Sequence, residues 1–399
     1  MTTSRCVSAL GASILAALMT GCTAVPPAQP FQPMALRQCE TLAGMEIPGP
    51  AIGLPTRGAT VISASRAGAV APYRDAEGEH LLPTPERCLV LGRIAPLDPA
   101  APPINFAVNL PLANWNGRIL QSGGGGLGGQ LITAPGNKAS GRFDPNPVNV
   151  PYPVTQGYVT FGSDNGHPAR DFAFTRNDEA VRNWAHEELK KTRDAVLAVV
   201  AAAYGRRPTH VFFSGESAGA REALRAAQVY PDDYDGIIAT SPVISWNAVH
   251  LFDNVVRDRL MDGFLGATAI KLLADRTRAS CDLQDGLRDG VVGKYLECPN
   301  DAAQLQCAAG QAPASCLSPA QIAAANALRE PRATPVPMAH GVTRFPGFAV
   351  TGDEDGPNWQ WPFYAVGTEA PSRALAPGLG FEQRRGARSS ASRPSGSGT

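Results

Sequence analysis

The turn around Ser217 restricts the fold of this chain more than any other feature. Residues 210–213 have the character of a short buried strand, residues 220–230 form a helical pattern rich in Ala, Leu and Arg, and Gly-Glu-Ser-Ala-Gly lies between them. This fits G-x-S-x-G, whose glycines permit a tight turn that presents a serine hydroxyl at the carboxyl end of a strand. The alternative is an ordinary strand-to-helix turn. We therefore predict that Ser217 is a catalytic nucleophile.

Strands and helices alternate on both sides of this turn. A helical pattern covers residues 177–203 and ends at Gly205. Further apolar runs have the length and composition of strands, at residues 88–92, 104–110, 118–121, 158–162 and 236–240. Strand–helix–strand alternation is typical of a parallel α/β sheet. Together with the serine turn, it predicts an α/β-hydrolase core over residues 39–242.

The chain changes character after Pro242. Residues 251–328 contain helical patterns and cysteine-bracketed loops, without alternating strands. We interpret residues 243–376 as a mainly helical lid domain inserted into the α/β core. Residues 377–399 become rich in Arg, Ser, Gly and Pro, which cannot bury a core face, so this tail is expected to be disordered or aberrant.

A glycine-rich loop, residues 122–129, follows the strand at 118–121 directly. Glycine lets backbone amides approach a ligand closely, so we expect this loop to supply one hydrogen-bond donor to an oxyanion. The N–H of Ala218, the residue after the serine, is the natural second donor. A phosphate-binding loop is the alternative, but the run lacks the Gly-Lys-Ser/Thr ending of that motif.

An acidic loop lies in the predicted lid, at residues 282–291. Asp282, Asp285 and Asp289 occur at i, i+3 and i+7, and a glycine follows two of them. Hard oxygen ligands suit Ca²⁺, with backbone carbonyls such as those of Leu287 and Val291 completing the shell. The spacing differs from an EF-hand, and a solvated acidic turn is the alternative. We predict a structural calcium site here.

The N-terminus has the features of a bacterial export signal. Residues 7–19 are a short apolar stretch after Arg5, and Leu-Met-Thr-Gly-Cys ends at Cys22 like a lipobox. We predict a signal peptide over residues 1–21, lipidation of Cys22, and a Pro-rich tether over residues 22–38. Simple cleavage near Ala24 without a lipid is the alternative. The chain is thus expected to be periplasmic or on the outer membrane or cell surface, touching membrane only through the lipid.

The net charge limits the expected binding partners, and the number of cysteines indicates how they pair in an exported chain. Thirty-five basic residues balance 35 acidic ones, which leaves no excess positive charge for binding nucleic acid. Six cysteines remain when Cys6 of the predicted signal peptide and Cys22 of the lipobox are excluded. An even number in an exported chain favours disulfides. They allow 15 connectivities. Pairing of neighbours, which closes loops of modest length, would join Cys39–Cys88, Cys281–Cys298 and Cys307–Cys316.

These motifs resemble the tannase/feruloyl esterase family, including its branch of polyester-monomer hydrolases. The resemblance covers most of residues 39–365, with the most specific matches at 88–129, 213–241, the acidic loop and Cys-Leu-Ser-Pro-Ala-Gln at 316–321. It implies an α/β-hydrolase core, a lid with structural calcium, and hydrolysis of aromatic-acid (feruloyl- or galloyl-like) esters through an acyl-enzyme. Small aromatic esters are then the expected partners.

The resemblance also assigns individual residues by their position. Gly126 matches the first oxyanion glycine of the family and Ala218 the second donor. Trp359 and Trp361 fall where lid aromatics line the substrate pocket. The positions that match the calcium ligands are Asp282, Asp285, Leu287, Asp289 and Val291.

Two departures from the family pattern bear on activity. Glu216 stands where most members carry a cysteine. The family places its catalytic Asp and His in a C-terminal segment, but only His250 and His340 follow Ser217 and neither lies in a matching motif. The resemblance therefore predicts a chain truncated at its C-terminus. The alternatives are an inactive family member, a calcium-bound surface binding protein, or a serine peptidase on the same core.

Overall fold

An eight-stranded mixed sheet organises the part of the chain that can be described. The computed structural model describes residues 35–74, 80–133, 150–168, 173–244, 263–299, 301–334, 338, 341–345, 347–348, 351–352 and 355. The chain divides into the units Met1–Gln32 and Pro33–Thr399, and every described residue belongs to the second. The predicted signal peptide, the lipobox and the tail at 377–399 therefore lie outside the described residues.

The described residues form twelve strands and five α-helices. The strands are β1 (Glu46–Ile47), β2 (Ala59–Ala67), β3 (Tyr73–Arg74), β4 (His80–Leu81), β5 (Arg87–Ile94), β6 (Ile104–Pro111), β7 (Arg118–Ser122), β8 (Val159–Ser163), β9 (His210–Glu216), β10 (Gly236–Thr240), β11 (Arg332–Ala333) and β12 (Arg344–Phe345). The α-helices are α1 (Asp178–Arg182), α2 (Glu188–Tyr204), α3 (Ala218–Val229), α4 (Ala267–Cys281) and α5 (Pro319–Arg329).

The main sheet is antiparallel in one half and parallel in the other. Its strand order is β1-β2-β5-β6-β8-β7-β9-β10. The pairs from β1 to β8 run antiparallel, whereas β8, β7, β9 and β10 run parallel to one another. The prediction of an α/β sheet is therefore confirmed, and the parallel part contains the turn at Ser217. Strand β2, which pairs with β5 along its length, is not among the strands predicted from the sequence.

Burial in the sheet explains why these segments form strands. β5 alternates between buried and partly buried residues, as expected for a strand with one face on the core, whereas all five residues of β8 are buried. The core beside the sheet contains Trp115, whose ring stacks on Tyr204 of α2 with centroids 4.2 Å apart. Helix α2 packs on β5, β6 and β8, and α3 packs on β9 and β10.

The helical pattern at 177–203 forms two helices rather than one. The Asn177 side chain caps α1 by accepting the Ala180 N–H, and a π-helical segment, Asn183–Glu187, separates α1 from α2. Buried Lys191 donates to Asn183 Oδ1 and Glu187 Oε2, both at 2.8 Å, and both residues belong to that segment. The π segment thus brings two acceptors to one buried ammonium group. No described helix is long and apolar enough to cross a membrane.

A second apolar cluster lies in the region predicted to be the lid. It includes Leu265, Ile270 and Leu273 on one side and Leu317, Ile322 and Leu328 on the other. Helices α4 and α5 supply most of these side chains. The region is mainly helical where it is described, apart from the short pair β11–β12. The limits of the lid at 243 and 376 remain predictions.

Three disulfides connect neighbouring cysteines among the described residues. They join Cys39 to Cys88, Cys281 to Cys298 and Cys307 to Cys316. Neighbour pairing, one of the connectivities open to the sequence, is thus the arrangement in the structure. The first bond ties the segment before β1 to β5, and both of its cysteines are buried.

Removing the Cys39–Cys88 bond should destabilise the fold more than removing Cys307–Cys316. The bonds span 49 and 9 residues, and constraint of the unfolded chain grows with the closed loop. We expect the double alanine variants to lose about 4 and about 3 kcal/mol of unfolding free energy, measured by urea denaturation. An equal or larger loss at 307–316 would contradict this ranking.

Candidate active site

Ser217 occupies a strained bend between β9 and α3. Its φ of 55° lies in the left-handed region, which costs a non-glycine residue about 1–3 kcal/mol. A Cβ on Gly215 would collide with the carbonyl group of Gly219, so the bend needs glycine there. The Ser217 N–H donates to the Thr240 carbonyl at 3.0 Å, which fixes the bend to β10. Ser217 itself is only half-buried.

The N-terminus of α3 adjoins this bend. Ala218 and Gly219 precede the first bonds of the helix, and their N–H groups have no hydrogen-bond partner among the described residues. The N-terminus of a helix carries a partial positive charge and free donors. This end of α3 can therefore stabilise negative charge that develops beside Ser217.

The glycine loop after β7 lies directly against that helix. The Gly123 N–H donates to the Ser214 carbonyl of β9 at 2.9 Å, which continues the parallel pairing by one residue. A Cβ on Gly219 would lie 2.5 Å from the carbonyl oxygen of Gly124, and a Cβ on Gly123 would lie 2.8 Å from the Gly219 Cα. The backbones of the glycine loop and of α3 thus leave no room for a side chain at either glycine.

Two amides at the tip of the loop have no partner in the part of the chain that the structure describes. The Gly128 N–H closes a turn on the Gly125 carbonyl at 3.0 Å. Gly126 within this turn has a φ of 58° and is exposed. Within the described residues, the N–H groups of Gly125 and Gly126 make no hydrogen bond. The structure therefore places the predicted oxyanion glycine at the exposed tip of a loop whose base contacts the Ser217 helix.

A buried polar network lies beneath the glycine loop. Asn165 Nδ2 donates to Glu222 Oε1 at 2.9 Å and to Glu188 Oε1 at 3.3 Å. The other oxygen of Glu222 accepts the Gly124 N–H at 2.8 Å. The sequence patterns do not reveal this network as a functional feature. Ala223 and Leu224 follow Glu222, but Glu188 lies among the charged residues Glu187, Lys190 and Lys191.

Burial makes these two carboxyl groups unusually basic. It raises the pKa of Glu188 to about 8, and the charge of Glu222 contributes in the same direction. Burial also raises the pKa of Glu222, opposed by Arg221, the Gly124 amide and Asn165. Each residue is only 2% exposed, so solvent does not screen the repulsion between their negative charges. The pair therefore holds a proton around neutral pH.

The described histidines make their hydrogen bonds elsewhere. His167 Nε2 lies 3.1 Å from the Leu127 carbonyl oxygen, and His186 Nδ1 lies 3.0 Å from the Tyr230 hydroxyl. His210 Nδ1 is paired with the neighbouring Thr209 hydroxyl. None of these bonds involves Ser217. His250 and His340 lie outside the described residues, as do Trp359, Trp361 and Cys22.

The carboxylates of the acidic loop accept backbone amides of their own loop. Asp282 accepts the Gly290 N–H at 3.0 Å, and Asp289 accepts the Val291 N–H at 3.0 Å. Asp285 uses both oxygens, for Leu287 N–H at 3.0 Å and Gly293 N–H at 2.8 Å, and these bonds lower its pKa. The donor set is that of a hard cation. However, no three metal-binding side chains converge within the described residues, so the ligands are not preassembled.

Comparison with known proteins identifies close sequence relatives. The family model described as tannase and feruloyl esterase matches residues 88–374. An uncharacterized esterase of Agrobacterium fabrum is 36% identical over 324 residues, which are 78% of this chain and 56% of the relative. The mono(2-hydroxyethyl) terephthalate hydrolase of Piscinibacter sakaiensis is 28% identical, over 64% of this chain and 46% of that enzyme. The chain thus spans about half the length of these relatives.

Solved structures support the fold. The crystal structure of feruloyl esterase B from Aspergillus oryzae superposes with a TM-score of 0.57 at 22% identity. The match covers 74% of this chain and 57% of that chain. At this identity the likeness concerns the fold, which is that of a feruloyl esterase.

Enlarging Gly219 should disrupt the contact between the glycine loop and α3. In Gly219→Ala the new methyl group meets the Gly124 carbonyl oxygen, a backbone atom that cannot move without shifting the loop. We expect a loss of about 1–3 kcal/mol in urea denaturation. Gly68→Ala is the control, because a Cβ at Gly68 has no neighbour within 4 Å. Equal stability of the two variants would contradict the close contact.

Proposed function

Because this chain belongs to the tannase and feruloyl esterase family, we propose that it is a carboxylic-ester hydrolase with Ser217 as its nucleophile. The observation that carries the proposal is the strained left-handed bend at Ser217, between a parallel strand and a helix N-terminus. Such a bend holds a serine hydroxyl at the edge of the sheet, where a substrate carbonyl can reach it. The strain is retained because the sheet and the glycines fix the bend.

The proposed reaction is acyl transfer in two steps. The Ser217 oxygen attacks the ester carbonyl, the alcohol leaves, and water then hydrolyses the acyl-enzyme. The tetrahedral intermediates need donors for their oxyanion. We assign these to the N–H groups of Gly126 and Ala218, which have no partner among the described residues. A base must also accept the serine proton, and none of the hydrogen bonds of the described histidines assigns it.

The proposed substrates are esters of aromatic acids. Support comes from the relatives, which include the terephthalate monoester hydrolase of Piscinibacter sakaiensis and a probable feruloyl esterase of Aspergillus oryzae. Trp359 and Trp361 are the proposed aromatic contacts of the lid. An inactive or purely binding relative is the alternative, which would fold in the same way without acylating Ser217.

Reaction with a fluorophosphonate probe tests the nucleophile independently of the substrate. We expect covalent labelling of Ser217, detected by peptide mass spectrometry, and hydrolysis of p-nitrophenyl and feruloyl esters. Ser217→Ala should abolish labelling and reduce turnover by about 10⁴-fold or more. Ser65→Ala, at an exposed serine of β2, should change neither. A wild-type chain that is neither labelled nor active would leave the binding-protein alternative.

We also propose that the acidic loop binds structural calcium. The support is three carboxylates on one loop, closed by the Cys281–Cys298 bond, with Gly286 and Gly290 in left-handed turns. Carboxylate oxygens have enough lone pairs to accept an amide and contact a cation at once. Binding has to draw the carboxylates together, because they do not converge in the described structure. Asp282, Asp285 and Asp289 would be the side-chain ligands, with the Leu287 and Val291 carbonyls.

Calcium should raise the melting temperature of the chain, and a chelator should lower it. We expect saturation at about 1 mM Ca²⁺ or below, as in extracellular calcium modules. Asp289→Asn keeps an oxygen for the Val291 amide but removes the charge, so it should reduce the shift. Asp232→Asn, at an exposed acid outside the loop, should not. No shift in the wild-type protein would refute the site.

We also propose that the chain is exported and carries a lipid anchor at Cys22. The lipobox sequence ends at this cysteine, and the disulfides found in the structure are typical of oxidising compartments outside the cytosol. The family model begins at residue 88, after the proposed tether. A periplasmic or outer-membrane location would place the chain where exogenous esters arrive.

A further inference from the structure

We propose that Glu222 is a positioning residue, whose carboxylate fixes the inner face of the glycine loop, while Glu188 carries the proton that lets two buried carboxyl groups coexist. This inference rests on the proposed function only in its consequence for Ser217. The network itself is defined by the contacts among Gly124, Asn165 and the two glutamates.

The contacts of Glu222 favour its ionised form. Its two oxygens accept N–H groups only, from the Gly124 backbone at 2.8 Å and from Asn165 Nδ2 at 2.9 Å. An N–H group cannot accept a hydrogen bond, so the O–H of a protonated Glu222 would find no acceptor in either of these contacts. Arg221 Nη2 lies 3.7 Å from Glu222 Oε1 and adds positive charge on the same side.

The contacts of Glu188 allow it to be neutral. Its Oε2 lies 2.6 Å from the Ser163 hydroxyl oxygen, and a hydroxyl can either donate or accept. A protonated Glu188 can therefore donate to Ser163 and still accept Asn165 Nδ2 on its other oxygen. Asp164, whose charge also raises the pKa of Glu188, disfavours a second ionised group here. Tyr230 and Tyr234 also interact electrostatically with Glu188, and burial raises the pKa of both.

Asn165 connects this charge arrangement to the shape of the loop. The backbone of Asn165 has a φ of 62°, in the left-handed region. Its side-chain oxygen lies against the Cα atoms of Gly124 and Gly128. A Cβ at Gly128 would lie 2.5 Å from that oxygen, so only glycine leaves room for it. The amide of Asn165 thus fills the inside of the loop and binds both carboxyl groups through one nitrogen.

The proposed consequence is preorganisation of the loop. The inward amides of Gly123 and Gly124 are both hydrogen-bonded, to β9 and to Glu222, so the base of the loop cannot rotate freely. The next amides, of Gly125 and Gly126, have no hydrogen-bond partner among the described residues, and Gly126 is exposed. Fixed donors stabilise an oxyanion better than mobile ones, because no reorganisation accompanies the reaction.

Two isosteric variants distinguish the roles of the two carboxyl groups. Glu188→Gln resembles the protonated acid and keeps a donor for Ser163 and an acceptor for Asn165, so little should change at pH 7. Glu222→Gln turns one acceptor into an NH₂ group that faces an N–H donor. We expect hydrogen exchange of the Gly124 amide, followed by NMR or by mass spectrometry of residues 122–128, to rise about tenfold or more in Glu222→Gln. It should stay within about twofold in Glu188→Gln.

The pH dependence of the wild-type protein is a second measurement, which needs no Glu222 variant to fold. A carboxyl group with a raised pKa contributes stability that is complete below its unfolded pKa of about 4.5 and is lost as pH rises through about 8. Loop exchange, corrected for the intrinsic rate, should therefore increase as pH passes about 8 in the wild type. The increase should be absent in Glu188→Gln, whose side chain does not titrate.

The outcomes separate this inference from the proposed function. Equal exchange in the two variants, or a larger effect of Glu188→Gln, would overturn the assignment of the proton and of the positioning role. Loop exchange that is insensitive to Glu222→Gln would do the same, even if Ser217 reacts with a fluorophosphonate. Conversely, the expected exchange pattern in a chain that is not labelled at Ser217 would support the network while refuting the nucleophile.

Discussion

The close backbone contact between the glycine loop and the first turn of α3 is the constraint on which the site depends. Because β7 and β9 are parallel neighbours, the loop leaves the sheet at Ser122, opposite Ser214, and the serine bend follows at the end of β9, at Glu216. Gly123 and Gly219 then meet without side chains between them. This contact fixes the loop relative to Ser217. It is the basis for the proposal that the amides of the loop tip and of the helix N-terminus, which lack partners among the described residues, belong to one site.

Burial of charge beneath the loop is the second physical element of the account. A buried carboxylate is costly unless its oxygens are fully hydrogen-bonded. Glu222 meets that condition through Gly124 and Asn165, with Arg221 nearby. Glu188 has the neutral form as an alternative. A loop held by a charge-assisted hydrogen bond is fixed more firmly than one held by neutral amides alone, which suits donors that must not move during a reaction.

The sequence was sufficient for the features that depend on local spacing. The serine turn, the glycine loop after β7 and the parallel strands around them follow from periodicity and glycine placement, and the structure has them where they were predicted. Neighbour pairing of the cysteines also agrees with the structure. Strand β2 was missed because its many Ser, Ala and Arg residues give little apolar alternation, although pairing with β5 makes it a long strand.

Features that depend on tertiary contacts could not be read from the sequence. The break between α1 and α2 accompanies the convergence of Asn183 and Glu187 on buried Lys191, a contact that no helical periodicity reveals. The partnership of Asn165 with Glu222 joins residues 57 positions apart. In the acidic loop, the spacing of the aspartates indicated carboxylate oxygen ligands for a cation. In the structure these carboxylates accept hydrogen bonds from backbone amides of the same loop. Their convergence on a cation remains a proposal.

A crystal structure of the chain after reaction with a phosphonate inhibitor tests the central claim most directly. The account predicts phosphorus bonded to the Ser217 oxygen, with the phosphonyl oxygen about 2.7–3.1 Å from the amide nitrogens of Gly126 and Ala218. A phosphonyl oxygen directed into solvent, or bound by groups other than the loop tip and the start of α3, would contradict it. The site would then have no oxyanion hole formed by these two elements.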